Sequence, residues 1–277
     1  MSALAPTAPG WLPAARALAQ RPAAAARLPF AVAGRIVGSV AEGVLDEIIA
    51  MPPENMPVML SKREHYGVAG WHLDSAAGDA SAALALLADA LRRAGRCGPW
   101  RDEQLAVCSA AGERIGTVER GAVRVLGIAT RAVHLVAIAP DGRMWVQQRA
   151  FDKPTHPGRW DTLMGGMVSA ADTLDTALER ETWEEAGLRI AALQDVVHGG
   201  HVDFARPSDD GEGAGYMVER IDWFHATVPE GLAPENQDGE VERFELLAAA
   251  QVHARLARCD FTPEAALVLA GFYWPQK

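Results

Sequence analysis

The sequence contains few cysteines, and they follow no known metal or redox pattern. Its 277 residues include only Cys97, Cys108 and Cys259, which are far apart and odd in number. A disulfide framework needs paired cysteines, and a zinc finger or CxxC motif needs close pairs, so this spacing excludes those classes. We therefore expect reduced thiols with mainly structural roles in a cytoplasmic protein.

The sequence also lacks a positive net charge and long apolar runs. A formal net charge of -10 argues against broad binding to nucleic acid or to anionic membranes, because both need a cationic surface. No apolar run approaches the roughly 20 residues of a membrane span. The length suffices for one large domain or two ordinary ones. An anionic substrate would need a metal ion or a local basic patch to hold it against the overall charge.

Acidic residues are absent from the first 41 positions, which carry four arginines among many alanines and several prolines. We interpret residues 1–29 as an Ala/Arg/Pro-rich leader that is helical or partly mobile. The likeness to an organellar transit peptide is faint because prolines interrupt the segment. A secretory signal is excluded because there is no continuous apolar stretch followed by a cleavage site.

Two segments of similar sequence predict a small α+β domain over residues 30–127. "AGRIVGSVAEGVL" and "AGERIGTVERGAV" match at five positions, and each carries a glycine, Gly34 or Gly112, where a hairpin requires a positive φ. We interpret them as a duplicated strand–strand–helix unit, although any two short hairpins that enter helices would look alike. Between them, "DASAALALLADALRRAG" predicts an amphipathic helix that ends at Gly95.

Residues 128–277 predict a second, larger domain. Two apolar runs flank Pro140-Asp141-Gly142, a hairpin turn, and further strands are expected in "YMVERIDWFHATV" and "EVERFELLA". A C-terminal helix begins at Thr262 as N-cap, with Pro263 in its first position. Many strands with few helices favour an α/β fold in which a mixed sheet is covered on both faces.

The helix predicted between Thr173 and Gly187 carries three glutamates on its apolar side. With Leu174 at zero and about 100° per residue, Leu178 falls near 40°. The glutamates fall at about 340°, 280° and 20°, in the order Glu181, Glu184 and Glu185. A solvated acidic face would lie opposite the leucines, and these three do not.

Carboxylates that crowd a core-directed face repel one another and are costly to desolvate. A divalent cation would hold them, and oxygen ligands without His or Cys favour Mg²⁺ or Mn²⁺ over zinc. Arg180, one residue before the cluster, is placed to orient a neighbouring carboxylate. The Gly165-Gly166 pair lets the backbone approach a metal or phosphate, so the carbonyl group of Gly165 is a candidate ligand.

The stretch from Gly166 to Leu188 resembles the Nudix box, G-x5-E-x7-R-E-U-x-E-E-x-G-U. Gly166 and "RETWEEAGL" stand at the required spacing. Two positions depart from the pattern, since Asp172 replaces the first Glu and Thr182 replaces an aliphatic residue. Asp172 or Thr173 can cap the helix, and we expect Asp172 to matter more for capping than for the chemistry. The resemblance implies the Nudix α/β/α sandwich over residues 128–277 and hydrolysis of a diphosphate joined to an organic group.

A narrower resemblance rests on "HLVAIAPDGRMWVQQRAFDKPTHPGRWDTLMGG" and "DGEVERFELL". These segments are similar to the branch related to thiamine pyrophosphokinase, whose members carry a small domain before the Nudix fold. The implied substrates are thiamine diphosphate or its oxidised analogues, which would be cleaved to monophosphates. A nucleotide sugar, a dinucleotide or a nucleoside triphosphate remains the alternative, because these substrates use the same metal site and differ only in the pocket.

The resemblance, together with the positions and chemistry of the side chains, predicts roles for individual residues. The expected metal ligands are Gly165, Glu181, Glu184 and Glu185; the expected catalytic residues are Glu184, Glu240 and Arg180; and the expected substrate-binding residues are Arg149, Lys153, Arg159 and Trp160. Each of the last four has a plainer alternative, a surface charge for the cations and core packing for the tryptophan. Glu240 is expected as a further metal ligand or general base, with a strand-turn acid as its alternative.

Other activities and other roles for individual residues were also considered from the sequence. An isopentenyl-diphosphate-type isomerase would need a catalytic cysteine early in the second domain, and none lies between Cys108 and Cys259. The intact acids of the box argue against a non-catalytic binding module. His198 and His201 lack a third His or Cys nearby, which favours a strand-end or loop role. The N-terminal domain either caps the substrate pocket or mediates dimerisation, and the expected partner is a small-molecule diphosphate.

Overall fold

The computed structural model describes residues 8–50, 59–65, 68–75 and 78–275. Within the described residues, the first part of the chain holds three α-helices and two β-sheets before the junction with the second part. In chain order its elements are α1 (Leu12–Ala19), β1 (Arg27–Val32), β2 (Arg35–Ala41), α2 (Val44–Ala50), β3 (Leu60–His65), β4 (Val68–Leu73), α3 (Ala80–Arg93), β5 (Gln104–Cys108) and β6 (Arg114–Glu119).

The strands of this first part form two separate sheets. Four of them are ordered β2-β1-β4-β3, with β1 and β4 parallel and the other pairs antiparallel, while β5 and β6 form a hairpin of their own. Gly34 and Gly112 adopt φ of 75° and 81° in the two turns, as the sequence predicts. The first hairpin leads into α2, whereas the second leads into a single 3₁₀ turn, Arg120–Ala122. The similarity of the two segments is therefore a similarity of hairpins.

Helix α3 supplies much of the core of this part. Asp79 caps its first turn by accepting from the Ala82 N–H at 3.0 Å, and Leu84, Leu87 and Leu91 are fully buried. These leucines pack with the inner faces of both sheets in one hydrophobic cluster that spans residues 30–128. Met167, from the second part of the chain, also belongs to this cluster. The two parts therefore share packing at that point.

The second part of the chain is a mixed seven-stranded sheet between helices. Its elements are β7 (Ala129–Ile138), β8 (Met144–Arg149), β9 (Trp160–Asp161), β10 (Met164–Met167), α4 (Leu174–Ala186), β11 (Gln194–Ser208), β12 (Gly215–Thr227), β13 (Val241–Leu247), α5 (Ala249–Ala257) and α6 (Pro263–Tyr273). The strand order is β11-β12-β7-β8-β13, with β10 paired to β7 and β9 paired to β8. Strands β7 and β12 run parallel, and the other pairs are antiparallel.

Alternate residues of β7 face opposite sides of this sheet, as the pleat of a strand requires. Val133 and Leu135 pack in the cluster that contains α4, while Ala132 and Val136 pack in the cluster that contains α5 and α6. Helices therefore cover both faces. The predicted fold, a mixed sheet in an α/β/α sandwich preceded by a small α+β part, is confirmed.

Helix α1, which lies within the predicted leader, packs on the second part of the chain. Leu12 and Ala19 are buried in the same cluster as α6, and the ring of Trp11 meets the edge of Trp274 with 6.3 Å between centroids. The side chain of Gln20 extends this contact by donating to the Asp203 carbonyl group. Among the residues described, no helix is both long and apolar enough to cross a bilayer.

Candidate active site

Helix α4 begins and ends where the sequence predicts, and Thr173, one of the two predicted candidates, caps it. Thr173 forms a capping box with Thr176, and Gly187 ends the helix with φ of 63°. The prediction that Asp172 caps the helix is wrong. Its carboxylate accepts from the guanidinium of Arg180 at 2.8 and 3.1 Å and from the Ser169 hydroxyl at 3.0 Å. A charge-assisted pair with arginine is stronger than a neutral cap, and Thr173 already supplies the cap.

Arg180 joins the acids of this region in one network. Besides Asp172, it donates to Glu181 at 2.8 Å, to Glu184 at 3.0 Å and to the Met167 carbonyl group at 3.2 Å. Burial lowers the pKa of Arg180, but Glu181 and Asp172 together raise it above its ordinary value. The guanidinium therefore stays charged. Arg180 orients two glutamates and the backbone before α4, as the sequence predicts, and does not exchange protons.

Glu185 and Glu181 are the most buried acids of the cluster. Glu185 is 3% exposed and accepts from the Gln147 side chain at 2.8 Å and from the Gly165 N–H at 3.0 Å. Burial raises the pKa of Glu185 to about 8, and the charge of Glu181 adds to this. Burial also raises the pKa of Glu181 to about 7, against the opposing effect of Arg180. The two carboxyl groups are thus buried side by side without enough positive charge or hydrogen-bond donors to stabilise both in the ionised form.

The glycine pair makes room for this arrangement. A Cβ on Gly166 would lie 1.9 Å from the Glu181 carboxyl carbon, and a Cβ on Gly165 would lie 2.6 Å from the His134 ring. Neither distance is compatible with a side chain. Gly165 and Gly166 therefore let β10 pass between the glutamate cluster on one face of the sheet and His134 on the other.

The donors of this cluster fit a hard divalent cation. They are oxygen atoms, as Mg²⁺ and Mn²⁺ prefer. The side-chain oxygen of Gln147, beside Glu185, is buried without a hydrogen-bond partner among the described residues. Within the described chain, no three His, Cys, Asp or Glu side chains already converge as a ligand group. Glu181 and Glu184 are both hydrogen-bonded to Arg180. The contact of Gly165 with the cluster is made by its N–H, which donates to Glu185. Metal binding by its carbonyl group stays a prediction.

Lys153 and Glu240 lie together at the edge of the cluster, where they form an ion pair. Burial lowers the pKa of Lys153 to about 8, as does the charge of Arg149, while Glu185 opposes the shift. The structure therefore brings Lys153 close to the glutamates, as a phosphate-binding role requires. The carboxylate of Glu240 is engaged by Lys153, and its role as a base stays a prediction.

The structure separates the other three predicted substrate-binding residues. Arg149 lies in a cleft beside the glycine pair, where its guanidinium donates to the Thr155 carbonyl group at 3.1 and 3.2 Å. Arg159 instead donates to the backbone carbonyl groups of Cys259 and Phe261, at 2.6 and 3.3 Å.

Trp160 is buried in the core, with the Arg255 guanidinium 4.0 Å from its ring. Its backbone pairs with the segment before α6, donating to Asp260 at 3.1 Å and accepting from Thr262 at 2.8 Å. Arg159 and Trp160 therefore hold the C-terminal helices in place. Their predicted contact with substrate is replaced by this structural role.

The cleft beside the glycine pair contains residues that sequence reasoning missed. It lies on the face of the sheet that carries His134, opposite α4. The charged and titratable residues along it are Arg120, Arg124, His134, Arg149, His156, Asp161, Arg206, Glu219 and Glu264. Of these, Arg149 was predicted from the sequence as a substrate-binding residue. Among the others, only His134, a polar residue inside the apolar run "AVHLVAI", left a signal in the sequence. Its ring nitrogen lies 2.9 Å from the Thr162 hydroxyl.

The sequence of residues 129–266 matches the family model of the NUDIX domain. Residues 129–266 are a Nudix domain. The chain is 30% identical over 148 residues to Nudix hydrolase 20, chloroplastic, from Arabidopsis thaliana, covering 52% of this chain and 38% of that one. It is 33% identical over 96 residues to an uncharacterized Nudix hydrolase from Pseudomonas aeruginosa, covering 35% of this chain and 53% of that one.

The match with a solved structure from Deinococcus radiodurans covers 63% of this chain and 100% of the other chain. The TM-score is 0.46 and the sequence identity is 19%. The chain spans only 38% to 54% of the first curated relatives that it matches. The family match confirms the predicted Nudix fold, and the relatives support the predicted class of enzyme, a Nudix hydrolase. The narrower branch related to thiamine pyrophosphokinase stays a prediction.

Proposed function

We propose that this Nudix domain hydrolyses the diphosphate of a small organic molecule, with Mg²⁺ or Mn²⁺ held by Glu181, Glu184 and Glu185. The observation that carries the proposal is the buried pair of Glu181 and Glu185 against the Gly165-Gly166 backbone. A cation there would offset the cost of burying two like charges. When bound, it would neutralise the diphosphate and lower the pKa of an attacking water.

The residues of the chain have separate tasks in this proposal. Arg180 fixes the orientation of Glu181 and Glu184. Lys153 and Arg149 bind phosphate oxygens, and Glu240, which pairs with Lys153, takes up the proton of the attacking water. Water attacks phosphorus, the bond from that phosphorus to the bridging oxygen breaks, and the organic monophosphate, inorganic phosphate and one proton result.

We further propose thiamine diphosphate, or an oxidised analogue of it, as the substrate. The sequence resemblance is the main support. The cleft adds to it, because both arginines and carboxylates line it, which suits a molecule with an anionic diphosphate and a cationic thiazolium ring. A nucleotide sugar, a dinucleotide or a nucleoside triphosphate is the competing class, since the metal site itself does not discriminate between these compounds.

A substrate panel tests this assignment. Thiamine diphosphate and oxothiamine diphosphate are compared with ADP-ribose, NADH and nucleoside triphosphates, in Mg²⁺ and in excess chelator, by release of phosphate or monophosphate. We expect kcat/KM for a thiamine compound to exceed that for any nucleotide by about tenfold or more, as a few well-placed pocket contacts would give. Preference for a nucleotide would contradict the substrate. Activity that survives the chelator would contradict the metal.

A further inference from the structure

The segment between the N-terminal part and the Nudix domain places two arginines in the cleft. Arg120 and Arg124 follow β6 on a short helical turn, four residues apart. Both line the cleft together with Gly165 and Gly166 of the Nudix domain. The side chain of Arg124 also borders the two cavities that continue this cleft along the junction. The cleft therefore has one wall from each part of the chain.

Arg124 differs from the other arginines of the cleft because its guanidinium makes no hydrogen bond within the described residues. Its nearest carboxylates, on Asp210 and Glu219, are both 3.9 Å away. In contrast, Arg120 donates to Glu103 at 2.7 Å and Arg206 donates to Glu264 at 2.6 Å. The side chain of Arg124 is 30% exposed. The two carboxylates nearest Arg124 are at ion-pair distance. No N–H of Arg124 is committed to a hydrogen bond within the described residues, so the guanidinium can donate to an anion.

The backbone of this segment is held from both sides. The Gly121 carbonyl group accepts from the Gly98 N–H at 2.8 Å, and the Arg124 carbonyl group accepts from the Tyr216 N–H at 2.8 Å. Val123 and Val125, on either side of Arg124, are buried in the core of the N-terminal part. The backbone that carries the Arg124 guanidinium is therefore fixed before a ligand binds, so only the side chain has to be ordered.

The cleft and the glutamate cluster meet at the glycine pair, although they lie on opposite faces of the sheet. Gly165 and Gly166 line the cleft. The Gly165 N–H also donates to Glu185 at 3.0 Å, and the Cβ position of Gly166 lies 1.9 Å from the Glu181 carboxyl carbon. Because the chain carries a net charge of -10, an anionic substrate needs a local basic surface such as this one to enter the site.

We propose that the N-terminal part completes the substrate site, with Arg124 as a phosphate-binding residue and Arg120 beside it. The ligand class is an organic diphosphate or polyphosphate, whose phosphate oxygens match the planar guanidinium. The inference rests on the proposed function for its substrate, but the anion site can be measured without turnover. Under this proposal, the N-terminal part of the chain contacts the substrate directly.

Arg124→Gln tests this inference, with Arg63→Gln as the matched control. Arg63 lies in the same part of the chain and pairs with Asp74 on the surface, 51% exposed. Binding of inorganic pyrophosphate is measured by calorimetry in chelator, and KM and kcat are measured with the best substrate of the panel. We expect R124Q to weaken pyrophosphate binding and raise KM by about tenfold or more, the usual effect of losing a charged hydrogen bond. R63Q should match the wild type, and R124K should fall between.

Three outcomes separate this inference from the proposed function. Equal pyrophosphate affinity in the wild type and R124Q, with thermal unfolding unchanged, would overturn the anion site. An absence of pyrophosphate binding to the wild type would overturn it as well. If binding depends on Arg124 but no compound of the panel is hydrolysed, the anion site stands and the proposed diphosphatase function fails.

Discussion

Glu185→Gln is expected to lower kcat by about a thousandfold or more, while the protein stays folded. Metal-bound catalysis supplies several kcal/mol, and about 1.4 kcal/mol corresponds to a factor of ten in rate. The amide keeps the size of the side chain, and its oxygen can still accept from Gln147 and Gly165, which both donate to Glu185. The change therefore removes a metal-ligating charge without removing packing.

Thermal unfolding should show the same or greater stability for this variant in metal-free buffer, since a buried ionisable group has become neutral. Glu179→Gln is the matched control. It makes the same chemical change on the same helix at an exposed position, and we expect activity like the wild type. Comparable kcat for Glu185→Gln and Glu179→Gln would refute the role of the cluster.

Gly166→Ala is expected to cost on the order of a hundredfold in kcat/KM, because displacement of a catalytic group by about 1 Å has effects of this size. The added Cβ would overlap the carboxyl carbon of Glu181, 1.9 Å away. The Glu181 carboxylate would have to leave its contact with Arg180, or β10 would have to shift. We expect about 1–3 kcal/mol of destabilisation as well, the usual cost of overpacking.

Gly10→Ala is the control for this change, since nothing lies within 4 Å of its Cβ position and its φ is not positive. Kinetics and chemical denaturation on both variants separate the loss of activity from the loss of stability. Wild-type kcat/KM in Gly166→Ala would mean that the position of the Glu181 carboxylate does not matter for turnover.

The elements that determine the metal site were predictable from local sequence. Helical periodicity alone placed Glu181 and Glu185 on the leucine side of α4, and both are buried. Gly187 at the end of that helix and Thr262 at the start of α6 also adopt the predicted capping roles. Such features depend on neighbouring residues only, and the rules of helix geometry and capping describe them well.

Residues whose positions depend on distant parts of the chain were not predictable. Arg159 and Trp160 precede the glycine pair in sequence, but contacts with Cys259 and Asp260, about a hundred residues later, draw them away from the cleft. Asp172 looked like a cap because nothing in the local sequence shows that Arg180 reaches back to it.

The composition of the cleft was hidden for the same reason. Arg124 and Arg206 are far apart in sequence, and only the folded chain brings both to the same cleft. Helix α1 gives a further case, since its alanine-rich sequence does not reveal that Leu12 packs in the cluster with α6. Tertiary contacts of this kind override local propensity.

Binding of Mn²⁺, followed by electron paramagnetic resonance of the free ion, tests the central claim most directly. It needs no substrate and compares the wild type with Glu185→Gln and Glu179→Gln. The account predicts that the wild type and Glu179→Gln bind Mn²⁺ with similar affinity, and that Glu185→Gln binds it at least about tenfold more weakly, as loss of a charged ligand implies. Equal Mn²⁺ affinity in all three proteins would contradict a metal centre at the glutamate cluster.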